Sequence, residues 1–433
     1  MSDRARRHWR FETSAVHAGY APRHHLRALA TPLYQTAAYA FDSSAHAAGL
    51  FDGSQAGFVY SRLGNPTVQM LETRVATLEQ GVAAVATASG QAALSCALLT
   101  IAGAGDNIIA ASALYGTTWN LLAHVLPQYG IRSHFVGYRD LDAIRALVND
   151  QTRALFCESV TNPAGAVPDL QAWAELAHEL GLPLMVDNTL ATPYLCRPIE
   201  AGADIVVHSL TKAMGGHGVA LGGAVVDAGR FSWSQHGARF ARLVDPDPAH
   251  HAQSFVHRYG ERAFAARCAA VPLRNLGAVL SPFNAFLIMQ GIETLALRME
   301  RIVFNATRIA AFLRAHAAVS WVSYAGLKDH PDAAMVQRYL GGQGPGVLSF
   351  AVRGGAPAGA RFQDQLQLIS RSVNLGDCKT LVCHPASTTH RQLRADERAR
   401  AGVSDDLMRL SVGIEHITDL LDDLDAALCA SQV

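Results

Sequence analysis

The chain has 433 residues, 50% of them hydrophobic and 17% charged, and its formal net charge is zero. That length can bury a large core and form two domains, and without a basic surplus there is no electrostatic footprint for nucleic acid. Seven scattered cysteines (Cys96, Cys157, Cys196, Cys268, Cys378, Cys383 and Cys429) form no C-x-x-C pair, so neither a disulfide framework nor a zinc cluster is indicated and a reducing cytosol fits best.

The chain begins MSDRARRHWRFET, which is Arg-rich but lacks the apolar core of a signal peptide. Residues 1–60 have weak periodicity and turn signals such as APRHH and FDGSQAG. They read as an extended arm, residues 1–64, that packs on a neighbouring subunit because it cannot bury itself. No apolar run reaches the roughly 18 residues of a membrane span; ALSCALLTIAGAG is shorter and reads as a buried helix.

From Asn65 the pattern sharpens. NPTVQMLETRVATLEQG places Leu71, Val75 and Leu78 at helical spacing, with Gly81 as the stop. Strand-like runs then alternate with helix-like runs: VAAVATA, DNIIAAS, IRSHFVG, RALFCES, LPLMVDN, ADIVVHS and GGAVVDA, with LQAWAELAHELG the clearest helix. Apolar strands separated by amphipathic helices predict an α/β fold, a mostly parallel sheet covered on both faces. This larger domain spans residues 65–280. An irregular stretch from about Phe231 to Ala263 precedes a long helix-like segment, about Ser281 to Ala317. A smaller α+β domain, 281–433, follows, with strand candidates GVLSFAV, TLVCHP and LMRLSVG.

In open α/β sheets ligands bind outside the carboxyl ends of the strands. Those ends read Ser89-Gly90-Gln91, Tyr115-Gly116-Thr117, Thr161-Asn162-Pro163, Asp187-Asn188-Thr189 and Ser209-Leu210-Thr211-Lys212. Lys212 stands out because the chain has only three lysines, Lys212, Lys328 and Lys379, against 33 arginines. A helix N-terminus at Gly90-Gln91 suits a phosphate, and the Ser209 and Thr211 hydroxyls could join it. An aromatic face stacks on a flat ring, a buried carboxylate holds a ring nitrogen protonated, and a lysine of depressed pKa condenses with an aldehyde. Phosphate, flat ring, ring nitrogen and aldehyde together describe pyridoxal 5′-phosphate (PLP).

Other cofactors fit worse. The nearest glycine cluster, Gly341 to Gly346, has the wrong spacing for G-x-G-x-x-G and no strand before it, and no G-x-x-x-x-G-K-[ST] occurs. Of nineteen histidines, His250, His251 and His257 lie closest together, but H-E-x-x-H is absent and no metal is expected.

The stretches TPLYQTAAYAF, YSRLGNPT, ASGQAA, LYGTTWNLL, VDNTLATPYLCRPIEAGADIVVHSLTKAMGGHG, LSPFNAFLIMQGIETLALRMER, GDCKTLVCHPASTTHRQL and RLSVGIEH extend over nearly the whole chain. With them the sequence resembles the Cys/Met-metabolism family of fold-type I PLP-dependent transferases, and most closely its O-acetylhomoserine sulfhydrylase branch. The resemblance implies that Lys212 links covalently to the cofactor, Asp187 pairs with its ring nitrogen, and Tyr115 stacks on the ring. It implies that Asn162 contacts the ring's phenolic oxygen, and that Gly90, Gln91, Ser209 and Thr211 bind the phosphate. Tyr60 and Arg62 would reach the phosphate of a neighbouring subunit, in at least a dimer and typically a tetramer built as a dimer of dimers. Arg409 and Asn374 would hold the substrate α-carboxylate. The implied reaction is γ-replacement of O-acetylhomoserine by sulfide or a thiol, in a cytoplasmic enzyme of methionine metabolism. Met214, Val219-Ala220 and Gly64 depart from the commonest pattern, and SVNLGDCKT stands between acetyl- and succinyl-ester enzymes. γ-Elimination, an O-succinylhomoserine substrate, and a PLP-binding regulatory protein without turnover therefore stay open.

Overall fold

The structure, a computed structural model, describes residues 9–432; the Arg-rich start of the arm, residues 1–8, lies outside the described residues. Seven strands build the larger sheet: β1 (Ala83–Thr87), β2 (Asn107–Ala111), β3 (Arg132–Val136), β4 (Thr152–Glu158), β5 (Leu184–Asp187), β6 (Ile205–His208) and β7 (Gly223–Asp227). Their spatial order is β1-β7-β6-β5-β4-β2-β3. Strands β2 to β6 pair in parallel, and β7 enters antiparallel between β6 and β1. Every residue of β2, β6 and β7 is buried, as expected of apolar strands covered on both faces.

Local signals set the helices. Asn65 caps Pro66–Glu79, its side chain accepting from the amides of Thr67 and Val68, with Pro66 in the first turn. Ser89 caps Gly90–Ile101 by accepting from Ala92 N at 3.1 Å. Asp169 does the same for Leu170–Glu179, accepting from Ala172 N.

The smaller, C-terminal sheet holds β8 (Val319–Ser323), β9 (Val347–Val352), β10 (Ser370–Arg371), β11 (Leu381–Cys383) and β12 (Leu407–Ser411), in the order β10-β11-β12-β9-β8. All its pairs are antiparallel except β10 with β11. Helices Leu295–Ala315, Gly355–Gln365 and Ile417–Ala430 pack on it around a second apolar core that includes Ile309, Phe350, Phe362 and Leu424.

Two local expectations need correction. The segment from Ser281 to Ala317 is two helices, Pro282–Glu293 and Leu295–Ala315, because Thr294 leaves helical geometry at φ −107°, ψ 10°. The helix from Pro66 ends at Glu79, just before Gly81 as the stop signal predicts, with Gln80 as its left-handed cap (φ 63°). The arm is not extended throughout: Phe11–His17 is a helix whose Phe11 and Ala15 are buried on the main core, and Ser44–Asp52 is another. A seven-residue helix carries too few inward positions for its period to stand out in sequence.

One buried cation joins the sheets' connecting helix to the loop after β6. Arg298, on Leu295–Ala315, is 5% exposed. Its guanidinium donates to the carbonyls of Ala213 (2.6 Å), Met214 (3.3 Å) and Gly291 (2.5 Å). Removing it leaves buried carbonyls unsatisfied and loosens the segment that carries Lys212. Arg298→Ala should lower the unfolding free energy by about 3 kcal/mol, read as a lower urea midpoint at an unchanged slope. A midpoint equal to that of the parent protein would show that the clamp contributes nothing.

Candidate active site

The carboxyl ends of β1, β2, β4, β5 and β6 bring the polar residues to one edge of the larger sheet. Lys212 lies four residues beyond β6 in a tight turn: its amide donates to Ser209 O (3.1 Å) and its carbonyl accepts from Gly216 N (2.8 Å). The Lys212 ammonium donates to Asn374 Oδ1 at 2.7 Å. Burial, with the charge of Arg409 as a second cause, brings the Lys212 amine down to a pKa of about 8.

Asn374 belongs to the loop before β11, and glycine lets that loop approach. Gly376 has φ +68°, and a Cβ there would stand 2.5 Å from Ala213 N and 3.1 Å from Lys212 C. Its amide is fixed by Ser411 Oγ on β12 at 2.9 Å. Arg409, also on β12, is 2% exposed and donates to Val373 O (2.8 Å), Asn374 O (3.0 Å) and Asn162 Oδ1 (3.5 Å). Its Nε has no partner, and no carboxylate pairs with it among the described residues. A buried guanidinium with a spare donor is set to receive an anion.

Asp187 ends β5. Desolvation raises its pKa, against the hydrogen bonds from the Thr189 amide (2.9 Å) and hydroxyl. No Lys or Arg pairs with it among the described residues, so a cationic N–H placed there would supply the missing charge. Tyr115 is half-buried after β2, and its ring is free of aromatic partners among the described residues.

At the end of β1 the helix Gly90–Ile101 begins against Ser209. A Cβ on Gly90 would meet Ser209 Cβ at 2.6 Å, so only glycine allows this approach. The amides of Gly90 and Gln91 have no acceptor among the described residues, and neither does the Ser209 hydroxyl. The Gln91 side chain instead donates to Thr118 Oγ1 at 3.1 Å. The Thr211 hydroxyl closes its own loop, donating to Gly222 O (3.1 Å) and accepting from Gly222 N (2.9 Å). Tyr60 and Arg62 lie apart from this cluster: Arg62 reaches Arg274 O (2.8 Å) and rests on the Tyr60 ring.

One participant escaped the sequence reading. Glu158, 4% exposed at the end of β4, accepts from Tyr115 N at 2.6 Å and from Asn162 N at 3.1 Å. Its only sequence signal is a carboxylate closing the otherwise apolar run ALFCE. His250, the nearest thing to a histidine cluster, stacks on Phe255 and bonds to the Tyr259 hydroxyl.

The residues present fit PLP: unpaired helix-start amides beside a free hydroxyl, a desolvated carboxylate without a Lys or Arg partner among the described residues, an aromatic face, and a lysine of lowered pKa. The model of the Cys/Met metabolism PLP-dependent enzymes matches residues 12–429. The sulfhydrylase FUB7 of Fusarium oxysporum f. sp. lycopersici is 48% identical over 416 residues, 96% of each chain. The O-acetyl-L-homoserine sulfhydrylase of Leptospira meyeri is 45% identical over 431 residues, 98% of this chain and 97% of its own. Among solved structures, a Campylobacter jejuni protein described as an O-acetylhomoserine (thiol)-lyase, with N′-pyridoxyl-lysine-5′-monophosphate, superposes with TM-score 0.94 at 36% identity, covering 97% of this chain and all of that one. Sequence, fold and the chemistry of the strand ends agree, and the chain belongs to the Cys/Met metabolism family of PLP-dependent enzymes.

Proposed function

We propose that the protein catalyses γ-replacement on O-acetyl-L-homoserine, exchanging acetate for sulfide to give L-homocysteine, or for a thiol to give the corresponding thioether. The observation that carries this reading is the hydrogen-bonded run from Lys212 Nζ through Asn374 to Arg409, beside the Asp187 and Tyr115 strand ends. It is supported by relatives named homocysteine synthase and O-acetyl-L-homoserine sulfhydrylase at 45% identity.

PLP, when bound, supplies the electron sink that makes the substrate's Cα and Cβ protons acidic. Lys212 would hold its aldehyde carbon, Asp187 would keep the proton on its ring nitrogen, and Tyr115 would cover its face. Asn162 would meet the phenolic oxygen, and the Gly90 and Gln91 amides with the Ser209 hydroxyl would meet the phosphate, while Thr211, its hydroxyl held by Gly222, would shape that loop. Arg409, aided by Asn374, grips the substrate α-carboxylate and aims Cα at the amine of Lys212. That amine takes the Cα proton and returns it. In the net reaction the Cγ–O bond breaks, acetate leaves with its electron pair, and a Cγ–S bond forms. A base of pKa about 8 keeps roughly a tenth of its amine neutral at pH 7 and stays strong enough to accept a carbon-bound proton.

Tyr60 and Arg62 act on a second copy of the chain in this reading, with the arm through residue 64 crossing over. Exposed Val219 and Leu221, on the loop that follows Lys212, and exposed Phe283 beside them support a covered interface there. Seven free cysteines support a reducing cytoplasm, and no helix among the described residues is long and apolar enough to cross a membrane.

The deciding assay supplies sulfide with O-acetylhomoserine or O-succinylhomoserine and measures homocysteine. Acetyl preference is expected; succinyl preference would reassign the acyl group, and 2-oxobutyrate released from methionine without sulfide would turn the reaction into elimination. Lys212→Ala should lose both the visible absorbance of bound cofactor and turnover, and a yellow, active, borohydride-sensitive variant would end the assignment. In cofactor-free protein, amine-selective acylation of Lys212 should rise with pH and reach half-maximum near 8 rather than 10.5. The sign follows from burial, which favours the neutral, reactive amine.

A further inference from the structure

Glu158 has no part in the chemistry above, yet it is buried in the middle of the site. It ends β4 opposite Asp187 of β5 in parallel register, so both carboxylates project from the same face of the sheet, about 4.8 Å apart at the backbone. One carboxylate bridges two loops: Oε1 accepts from Tyr115 N and Oε2 from Asn162 N, at 2.6 and 3.1 Å. Those loops follow different strands, β2 and β4, and no other hydrogen bond joins the two residues among the described residues.

Burying a carboxylate beside another is costly. Desolvation first, then the charge of Asp187, pushes Glu158 well above the ordinary glutamate range, and the two amides oppose that shift. A Gln side chain has one acceptor oxygen and could serve only one of the two amides. A shared carboxylate accepts from both at once and fixes their separation.

We infer that Glu158 is a positioning residue that sets the spacing between the Tyr115 and Asn162 loops, and thereby the slot in which the cofactor ring is held. This rests on the functional reading above. Glu158→Gln keeps the shape but can accept from only one of the two amides, since its NH2 is a donor.

The test has two arms. In cofactor-free protein, hydrogen exchange should find the Tyr115 or Asn162 amide about tenfold faster in E158Q than in the parent. After loading with pyridoxal phosphate, E158Q should keep its visible absorbance, lose visible circular dichroism, and show kcat about tenfold lower with KM changed less than about twofold. If E158Q does not fold, Glu158→Asp, which keeps the carboxyl group but withdraws it by one methylene, should give the same pattern. Unchanged exchange, or a loaded variant matching the parent in dichroism and kcat, overturns the inference. A parent protein that binds no pyridoxal phosphate defeats the functional reading instead, and the exchange arm still decides whether the clamp exists.

Discussion

The 2.7 Å hydrogen bond from Lys212 Nζ to Asn374 Oδ1 spans the boundary between the two sheets and joins the two halves of the site. Lys212 is carried by the loop after β6; Asn374 by the loop before β11. Neither sheet alone could hold the amine in a partly desolvated position and aim it. Gly376 allows the approach, Cys378 N secures it on Gly216 O at 2.8 Å, and Arg298 pins the same loop from behind. The lowered pKa of Lys212 follows from this enclosure.

The same enclosure leaves charges underpaired. Arg409 keeps an unpartnered Nε, and Asp187 pairs with no Lys or Arg among the described residues, the charge of His208 only partly offsetting its burial. Such groups cost stability until a ligand completes them. In the proposed function a zwitterionic amino acid and a cofactor with a cationic ring and an anionic tail would complete them.

Much of this was legible in sequence because parallel strands advertise themselves. Runs such as DNIIAAS and ADIVVHS are apolar throughout, and the residues that follow them fall at one sheet edge by topology. Lys212, Asp187, Tyr115, Asn162 and Ser209 could therefore be placed together before any coordinates. Hydrogen-bond allegiance could not. Thr211 spends its hydroxyl on Gly222, and the Gln91 side chain turns to Thr118, choices set by backbone geometry rather than spacing. Glu158 was hidden because a carboxylate at a strand end resembles a solvated terminus until its two amide donors are seen. The helix Phe11–His17 was hidden by its brevity.

Gly376 carries a consequence for inheritance. Its backbone conformation and the 2.5 Å gap to Ala213 N exclude every side chain at that position, so the two loops form a matched lock. The atoms that face position 376 are backbone, Ala213 N and Lys212 C, so the demand for glycine there holds whatever side chains the loop after β6 carries. A crossover at the seam between the sheets therefore has one backbone condition to meet here: the incoming C-terminal segment must bring glycine at this position.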